Sequence, residues 1–422
     1  MTELPDTWKW STIGEVADIV RGVTYSKGDT LSATDNDAVP LLRATNLEVD
    51  SIDFEDMVYV PKRVVKAQQF LQLDDIFLAA SSGSISVVGK SAQVVKTSGE
   101  TFGAFCAVIR PKNINPKFLA YWVQSPAIRD HWSATAKGTN INNLKPSDIS
   151  ETNIPIPPIV EQNKIVELLE DHLSRLDAAL ADVKQAKAKA AQFRRSLLQA
   201  AFTGNLELGE SSRMAELPPH WQSLALGGLC SSVEKVDPAN LGRDDFWYVD
   251  IGALEPSSSS LEKVINIPTA NAPGRARQLI RSGDSIFATV RPYMKKVAYI
   301  PKEFDGQIAS TGFCVLRPIQ EKLHSKYLFY FLLSDQLLDQ VLPLQRGVSY
   351  PAIRDNDLKN AHIPIPPIDE QNKIVELLEG HLSRLDASVS LADAMEKQSN
   401  GLRRSLLQAA FTGQLTKEVV SV

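Results

Sequence analysis

The sequence has little of what several protein classes require. Its 422 residues include three cysteines, none of them in a CxxC pair or at the spacing of a zinc site. The longest purely apolar run has about seven residues, and the first residues form neither a basic nor an apolar leader. We therefore expect no disulfide framework, no metal site, no secretion signal and no membrane span, which favours a protein of the reducing cytoplasm.

An excess of positive charge is also missing. Lys and Arg number 45 against 50 Asp and Glu, and the formal net charge of -5 excludes a polycation that holds nucleic acid by bulk charge. Any DNA binding must then rely on local surfaces. The chain is too long for a single core, because domains have roughly 100–200 residues, and its length predicts two to four domains.

What the sequence does contain is a long internal repeat. Residues 154–180 and 363–389 both begin IPIPPI and are nearly identical, and residues 194–206 and 403–415 both begin RRSLLQAAFTG. Both pairs of blocks are displaced by 209 residues, since 363 minus 154 and 403 minus 194 agree. The stretches between the blocks have equal length but share no residue in register. This pattern indicates a tandem duplication.

Each repeat predicts a long helix behind a proline-rich segment. Prolines fix φ and restrict their predecessors, so IPIPPI cannot be helical, and the helical pattern that follows runs for roughly 60 Å at ~1.5 Å per residue. Gly204 and Gly413 stand where a C-terminal cap is expected. The apolar residues recur at three and four positions along a narrow stripe: Leu173, Leu176, Leu180, Val183, Ala190, Leu197 and Ala201, then Leu382, Leu385, Val389, Ala392, Leu406 and Ala410.

A helix of this length with a narrow apolar stripe needs a partner. We expect the two helices to pair as a long antiparallel two-helix coiled coil, which would relate the two halves by a pseudo-twofold axis. The alternative is that residues 160–202 and 369–411 are core helices of two independent domains. The Ala- and Lys-rich middle at 186–191 is more typical of an exposed rod, and favours the coiled coil.

Upstream of each helix, a diverged block keeps a faint common frame. Leu4-Pro5 with Trp8 matches Leu217-Pro218 with Trp221. Short apolar runs between turn residues predict strands, and a helical pattern follows each Arg-Pro pair. The strands are predicted at Ile76–Ala80, Val94–Val95, Cys106–Ile109, Ile286–Val290, Val297–Ile300 and Phe313–Leu316, and the helices at Lys117–Gln124 and Lys326–Leu333. The predicted fold class is therefore α/β (α+β), with domains at 1–153, 154–210, 211–362 and 363–422.

These features resemble one known family. Two diverged blocks that open Leu-Pro-x-x-Trp, each followed by IPIPPI-x-EQ and a helix ending in AAFTG, are similar to the specificity subunits of type I restriction–modification systems. The resemblance covers essentially the whole chain. It implies that 1–153 and 211–362 are target-recognition domains, and that 154–210 and 363–422 are helical spacers.

The resemblance also implies a set of partners. The spacers would dock two methyltransferase subunits, and restriction–translocase subunits would join them. The target would be a bipartite, non-palindromic sequence in double-stranded DNA with a fixed gap, methylated on adenine. No cofactor is expected on this chain, whereas S-adenosylmethionine, ATP and Mg are expected on the partner subunits.

Basic residues cluster in the second domain, although 211–362 as a whole carries 17 basic against 16 acidic residues. Arg pairs bidentately with guanine, and Lys and Arg neutralise phosphates, so the cluster predicts a DNA-contacting face. The alternative is an ordinary solvated surface, and the tyrosine among the basic residues favours contact. The candidates are Arg275, Arg277, Arg291, Tyr293, Lys295 and Lys296.

The first domain is net acidic, with 15 basic against 18 acidic residues over 1–153, so its DNA face must be small. Small polar loops admit a phosphate backbone and offer N–H donors. A turn that merely joins two strands explains residues 81–84 equally well. The candidates are Arg21, Tyr25, Lys27, Arg43, Asn46, Ser81, Ser82, Ser84 and Lys90.

A matched polar segment precedes each proline-rich segment, with basic, Gly, polar and basic residues retained 209 positions apart. Asn can read adenine through N6 and N7, which favours DNA contact. The alternative is a structural loop that closes onto its domain. The candidates are Lys137, Asn140, Asn142, Asn143 and Lys145, and in the second copy Arg346, Ser349, Tyr350 and Arg354.

Surfaces that recur on both helices predict that an outside partner binds twice. For the arginines near the helix ends, interaction with the helix dipole is an equally good explanation. The candidates for partner contact are Gln162, His172, Arg194, Arg195 and Phe202, and in the second copy Gln371, His381, Arg403, Arg404 and Phe411.

The sequence offers no catalytic signature. Gly83 to Ser91 approaches a P-loop, but G-x-x-x-x-G-K-S requires Gly where the chain has Ser84. The six histidines are scattered, and no methyltransferase or nuclease motif is present. We therefore predict a non-enzymatic recognition subunit. The alternatives are a stand-alone DNA-modifying enzyme and a coiled-coil scaffold without a DNA role.

Overall fold

The computed structural model describes residues 4–48, 50–137, 141–206, 217–255 and 260–417. The chain is a mixture of helices and short strands. It divides into two compact units. The first unit comprises residues 1–183 with 394–422, and the second comprises residues 184–393.

The first unit is built on two small sheets. The larger has the strand order Ala17–Arg21, Cys106–Pro111, Ile76–Ala79 and Ser91–Gln93, and all of its pairs are antiparallel. The smaller has the order Val58–Pro61, Ala38–Leu42 and Thr101–Phe102. Two further pairs join Lys9–Thr12 to Asn153–Ile156 and Ser81–Ser82 to Asn142–Asn143. The short helices are Ile13–Val16, Pro116–Gln124, Pro126–Thr135, Pro146–Ser150 and Gln414–Lys417.

The second unit has two four-stranded sheets. One has the order Cys230–Ser231, Phe313–Pro318, Ser285–Ala288 and Val297–Tyr299, and the other Ile265–Pro268, Asp245–Val249, Ile308–Ser310 and Ala276–Leu279. Two strand pairs join Gln222–Ala225 to His362–Ile365 and Leu254–Glu255 to Ser260–Leu261. Its short helices are Ser325–Leu332, Asp335–Val341 and Asp355–Lys359. It also contains the 3-10 turn Pro292–Met294.

Both long helices are present where the repeat predicts them. They span Ile159–Ala201 and Ile368–Ala410, 43 residues each, and every position of the predicted apolar stripe is buried or half-buried. Gly204 and Gly413 follow them with φ of +78° and +71°, a conformation that glycine adopts without strain. A Cβ on Gly413 would lie 2.4 Å from Cγ of Pro5, which explains why the glycine and the Leu-Pro segment occur together.

Within each unit, ion pairs join segments of the two long helices. In the second unit Lys187 lies 2.6 Å from Asp393, and further along the same helix Arg194 pairs with Asp386. In the first unit Arg403 lies 2.9 Å from Asp177. The partner number falls as the residue number rises, so the two segments run antiparallel in the second unit.

An aromatic cluster holds each globular part against the end of a long helix. The Phe411 ring lies 5.2 Å from that of Phe118 and 4.9 Å from that of Trp122. In the second unit the Phe202 ring lies 5.0 Å from that of Tyr327 and 5.2 Å from that of Phe331. The two clusters are related by the same 209 positions as the repeat.

Most predicted elements are confirmed, with two differences. The strand expected at Val94–Val95 lies instead at Ser91–Gln93, because Ser91 to Gln93 pair with Ile76 to Leu78. The proline-rich segments are not merely extended: Ile154 and Ile363 lie in strands that pair with the residues following each Leu-Pro-x-x-Trp motif. Strands of this kind suit proline because a neighbour is bonded on one side only.

Candidate nucleic-acid interface

Two segments that the sequence analysis singled out separately meet in the first unit. Ser81–Ser82 pairs antiparallel with Asn142–Asn143, and the Leu144 N–H donates to the Ala80 carbonyl at 2.9 Å. The Ser81 hydroxyl donates to the Asn143 amide oxygen. The polar loop and the segment before the proline-rich strand therefore lie together and form a single site.

The same arrangement recurs in the second unit, 209 residues further along. The Ile353 N–H donates to the Thr289 carbonyl at 2.9 Å, and the Arg291 N–H donates to the Pro351 carbonyl at 2.7 Å. Val290 forms a β-bridge with Ala352. We call these two places the junction sites: residues 80–83 with 141–144, and residues 289–292 with 350–353.

A groove lies beside the junction site of the first unit. It has a volume of about 590 Å³ and is lined by four of the predicted site residues: Tyr25, Arg43, Ser81 and Ser82. Two apolar side chains on its wall are largely exposed, Phe105 by 64% and Ile141 by 53%. Phe105 was not among the predicted residues, although an aromatic residue in a Gly-Ala-Phe turn between strands is a usable signal. A small groove with exposed aromatic and basic walls suits the edges of bases.

Polar contacts within the first unit fix Arg43 and Asn46. The Arg43 guanidinium lies 3.0 Å from the Asp56 carboxylate. Asn46 is buried, and its amide donates to the carbonyls of Asp53 and Asp56 while accepting from the Arg43 N–H. The structure therefore places Asn46 inside its own loop, not on a surface that reaches DNA.

The other predicted residues of the first domain lie mainly at the surface. Arg21 ends a strand, Ser84 and Lys145 are exposed, Lys137 follows a helix, and Lys90 is half-buried. Lys27 lies in the 3-10 turn Lys27–Asp29. Asn140 lies outside the described residues. Among the candidates in the described part of the domain, Tyr25, Arg43, Ser81 and Ser82 are brought together around the groove, with Asn142 and Asn143 at the junction site.

Some basic residues of the second domain's cluster are bound to acceptors within the protein, and others are exposed. Arg277 lies 3.5 Å from Asp237, and the Lys295 ammonium donates to the Leu333 carbonyl and to Asp335. Lys296 donates to the Ile251 carbonyl at 3.0 Å. These three cations have structural partners within the unit. Arg275, Arg291 and Tyr293 are exposed.

Arg291 has an unusual backbone conformation, and its guanidinium lies over an aromatic ring. Its φ of +52° and that of Lys295, +46°, place both ends of the turn Pro292–Met294 in the left-handed region. Such backbone is rare for residues with a Cβ and clusters at functional sites. The Arg291 guanidinium lies 5.1 Å from the centre of the Tyr350 ring. Two segments predicted separately to contact DNA are therefore in contact with each other.

Ionisation in these sites follows from local contacts. The hydrogen bond from Arg346, followed by that from the Arg354 N–H, lowers the pKa of Asp357, which stays ionised near neutral pH. Arg346, predicted to contact DNA, is held by that carboxylate at 2.5 Å, while Ser349 is exposed nearby. Burial raises the pKa of the Cys106 thiol in the groove to about 12, so it stays protonated and unreactive.

Four residues predicted to contact a partner lie in the interior instead. Gln162 and Gln371 are buried, and their amides bond to the backbone of Asn115 and Pro157 and to that of His324 and Pro366, respectively. Phe202 and Phe411 fill the aromatic clusters described above. These side chains hold each globular part to its helix, which the sequence could not reveal because the backbone groups they bind are distant along the chain.

The remaining partner candidates lie on the helix surfaces. Arg194 and Arg403 take part in the ion pairs between helix segments. His172, Arg195 and Arg404 are exposed, and His381 is half-buried. Across the described ranges, no helix is long and apolar enough to cross a bilayer, and no three His, Cys, Asp or Glu side chains gather as a metal site would require.

One family of known proteins matches the sequence twice. The family described as "Type I restriction modification DNA specificity domain" matches residues 5–185 and again residues 220–389. The type I restriction enzyme StySPI specificity subunit of Salmonella potsdam is 30% identical over 438 residues, which are 99% of this chain and 91% of that protein. The EcoKI specificity subunit of Escherichia coli K12 is 30% identical over 461 residues, with the same coverage of 99% and 91%.

Solved structures share the fold. A chain from work on "complex assembly and conformational transition of the type I R-M system" matches with a TM-score of 0.70 at 20% identity, covering 98% of this chain and 100% of that one. The HsdS subunit from Thermoanaerobacter tengcongensis matches with a TM-score of 0.55 at 20% identity and 98% coverage of both chains. At this identity the likeness establishes the fold alone.

Proposed function

Because the chain belongs to the family of type I restriction–modification specificity subunits, it is a DNA-recognition subunit, and we propose that it reads a bipartite, asymmetric target. Residues 1–153 would read one half-site and residues 211–362 the other. The observation that carries this proposal is the pair of junction sites, which repeat the same backbone hydrogen bond and β-pairing with different side chains. Two readers of one build but different chemistry suit a target with two unlike halves.

We further propose that 154–210 and 363–422 form an antiparallel two-helix coiled coil that separates the two readers. The equal helix lengths, the buried apolar stripe and the ion pairs within each unit support it. In a coiled coil the residues per turn are constant, so its length fixes the separation of whatever it carries. The gap in the target would then be set by these helices.

Two methyltransferase subunits would dock on the spacers and restriction subunits would join them. His172 and Arg195, with His381 and Arg404 in the second copy, remain at least partly accessible for such contacts. The chain itself would be non-catalytic, with S-adenosylmethionine, ATP and Mg held by the partner subunits. The absence of a methyltransferase or nuclease motif in the sequence supports that division.

The test is to reconstitute the chain with its methyltransferase subunits and map the methylated adenines on genomic DNA. We expect one non-palindromic sequence in two parts with a constant gap. Methylation by the purified chain alone would support the stand-alone enzyme instead. Binding that shows no preference over random-sequence DNA at two salt concentrations would support the scaffold.

Shortening the helices should change the gap. Residues 187–190 and 390–393 face each other within the second unit, because Lys187 pairs with Asp393 and Arg194 with Asp386, so removing both sets keeps the register. Four residues are about 6 Å of helix, and we expect a gap shorter by one to two base pairs at about 3.4 Å each. Replacing the same residues with alanine keeps the length and is the control. A gap unchanged by the deletion contradicts the role of the helices as a spacer.

Lys145→Ala and Arg354→Ala should each weaken binding to all sequences alike. Both side chains are exposed, whereas the helix caps use the backbone N–H groups, which donate to Asp148 and Asp357 at 2.8 Å and survive the substitution. If each cation contacts one phosphate, the slope of log K against log salt falls by about 1. Lys117→Ala is the control, because that ammonium pairs with Glu170. Slopes equal to that of the unaltered chain count against phosphate contact.

A further inference from the structure

The two junction sites share one backbone hydrogen bond and one β-pairing but carry different side chains. Ser82 and Ile141 of the first unit correspond to Arg291 and Tyr350 of the second, 209 residues further along. In each unit one backbone hydrogen bond of 2.9 Å lies close to these residues, from Leu144 to Ala80 and from Ile353 to Thr289. Because the side chains at these corresponding positions differ between the two domains, we expect the difference between the two half-sites to originate here.

We propose that Arg291, oriented by the ring of Tyr350, is the residue with which the second domain reads a guanine. This proposal rests on the DNA-recognition function and names the base and the side chain that reads it. A guanidinium donates two parallel hydrogen bonds to O6 and N7 of guanine in the major groove. No other base offers two acceptors there in that arrangement.

Arg291 is distinguished from its basic neighbours by its contacts. Arg277, Lys295 and Lys296 are held by Asp237, by Asp335 and by the Ile251 carbonyl. The guanidinium of Arg291 instead lies over an aromatic ring, a cation–π contact that restrains the side chain and, unlike an ion pair, uses none of its N–H groups. Side chains that must pair bidentately gain most from such orientation.

The backbone around this pair is built to present it. Arg291 itself has left-handed φ, and the turn that follows exposes Tyr293 and Met294. Tyr350 lies in a loop closed by two hydrogen bonds of 2.9 Å between the backbones of Arg346 and Ala352. Gly347 in that loop has φ of +91°, and its added Cβ would lie 3.1 Å from the Tyr350 carbonyl. Tyr350 is 71% exposed, so its ring supports Arg291 from outside the core.

The first unit has Ser82 at the position of Arg291, and a single hydroxyl cannot donate two parallel hydrogen bonds to guanine. Ile141 lies at the position of Tyr350, and Phe105 stands on the same groove wall. Neither can donate to guanine. A position that carries a guanidinium in one domain and a hydroxyl in the other, beside Tyr350 in one and Ile141 in the other, accounts for an asymmetric target.

The test uses the full chain with its methyltransferase subunits and a DNA library randomised over the second half-site, with methylation as the readout. Arg291→Ala and Arg291→Asn should each lose the preference for guanine at one position by about 5- to 150-fold, with the first half-site unchanged. Asn tolerates the left-handed backbone, so the second variant preserves the turn. Tyr350→Ala should lose part of that preference, and Tyr350→Phe should keep it.

Lys302→Ala is the matched control, since it removes one exposed cation of the same unit that makes none of these contacts. An unchanged sequence preference in both Arg291 variants would overturn the proposal, including the case in which all sequences are methylated equally more slowly, which indicates a phosphate contact. That outcome would leave the proposed function intact. A library from which the unaltered chain selects no sequence would instead contradict the proposed function itself.

Discussion

Arg317→Ala should lower the free energy of unfolding by about 3–5 kcal/mol, because it leaves a carboxylate buried without its partner. The Asp284 side chain is 1% exposed, and Arg317 donates to it through Nε at 2.9 Å and through a terminal nitrogen at 2.8 Å. A further bond of 3.0 Å to the Leu279 carbonyl holds the guanidinium in place. Urea denaturation of the full chain measures the change.

The first unit offers the same experiment and a surface control. Arg110 pairs with the equally buried Asp75 at 2.7 Å, so Arg110→Ala should have a comparable effect. Lys112→Ala breaks an ion pair with Asp18 in which both side chains are about half exposed, and should cost no more than about 1 kcal/mol. Equal effects for Arg317→Ala and Lys112→Ala would show that burial of the carboxylate does not govern the stability.

Phe202→Ala should lower the free energy of unfolding by about 3–5 kcal/mol, since it removes a fully buried ring and leaves a cavity. The ring fills the space between Tyr327 and Phe331, and the loss should appear as a lower denaturation midpoint. Phe411→Ala should act alike in the first unit, where the ring lies between Phe118 and Trp122.

Phe193→Ala provides the control on the same helix. That ring is 49% exposed, and its removal should change stability by no more than about 0.5 kcal/mol. If Phe202→Ala were as mild, the aromatic cluster would not be what holds the globular part to the helix end.

The long helices could be predicted because their determinants are local. Repeated apolar spacing, proline before the first turn and Gly204 or Gly413 after the last act within a few residues of each helix, and the structure has helices of 43 residues between them. The short strands are less local. Whether residues 91–93 or 94–95 form a strand depends on the register against Ile76–Ala79, which no nearby residue specifies.

The candidate site could be predicted only as separate pieces. The polar loop at 81–84, the basic cluster and the segments at 137–145 and 346–354 were each found from composition, but their meeting joins residues about sixty positions apart. Arg277 and Lys295 of the basic cluster form ion pairs with Asp237 and Asp335, which lie far from them in sequence. The sequence therefore could not show which cations of the cluster already have a partner. The burial of Gln162 could not be predicted for the same reason, because the backbone N–H that donates to its amide oxygen belongs to Asn115.

The hydrogen bonds of Gln162 and Gln371 to main-chain groups affect how far the globular parts can diverge in sequence. Each amide bonds only to backbone groups, the N–H of Asn115 or His324 and the carbonyls of Pro157, Pro366 and Lys322. The globular side chains at that contact already differ, Asn in one unit and His in the other. This contact therefore requires a particular path of the main chain at residues 115 and 324 but no particular side chain there. The sequence of the globular part can thus diverge at these two positions while the helix that holds it keeps the same glutamine.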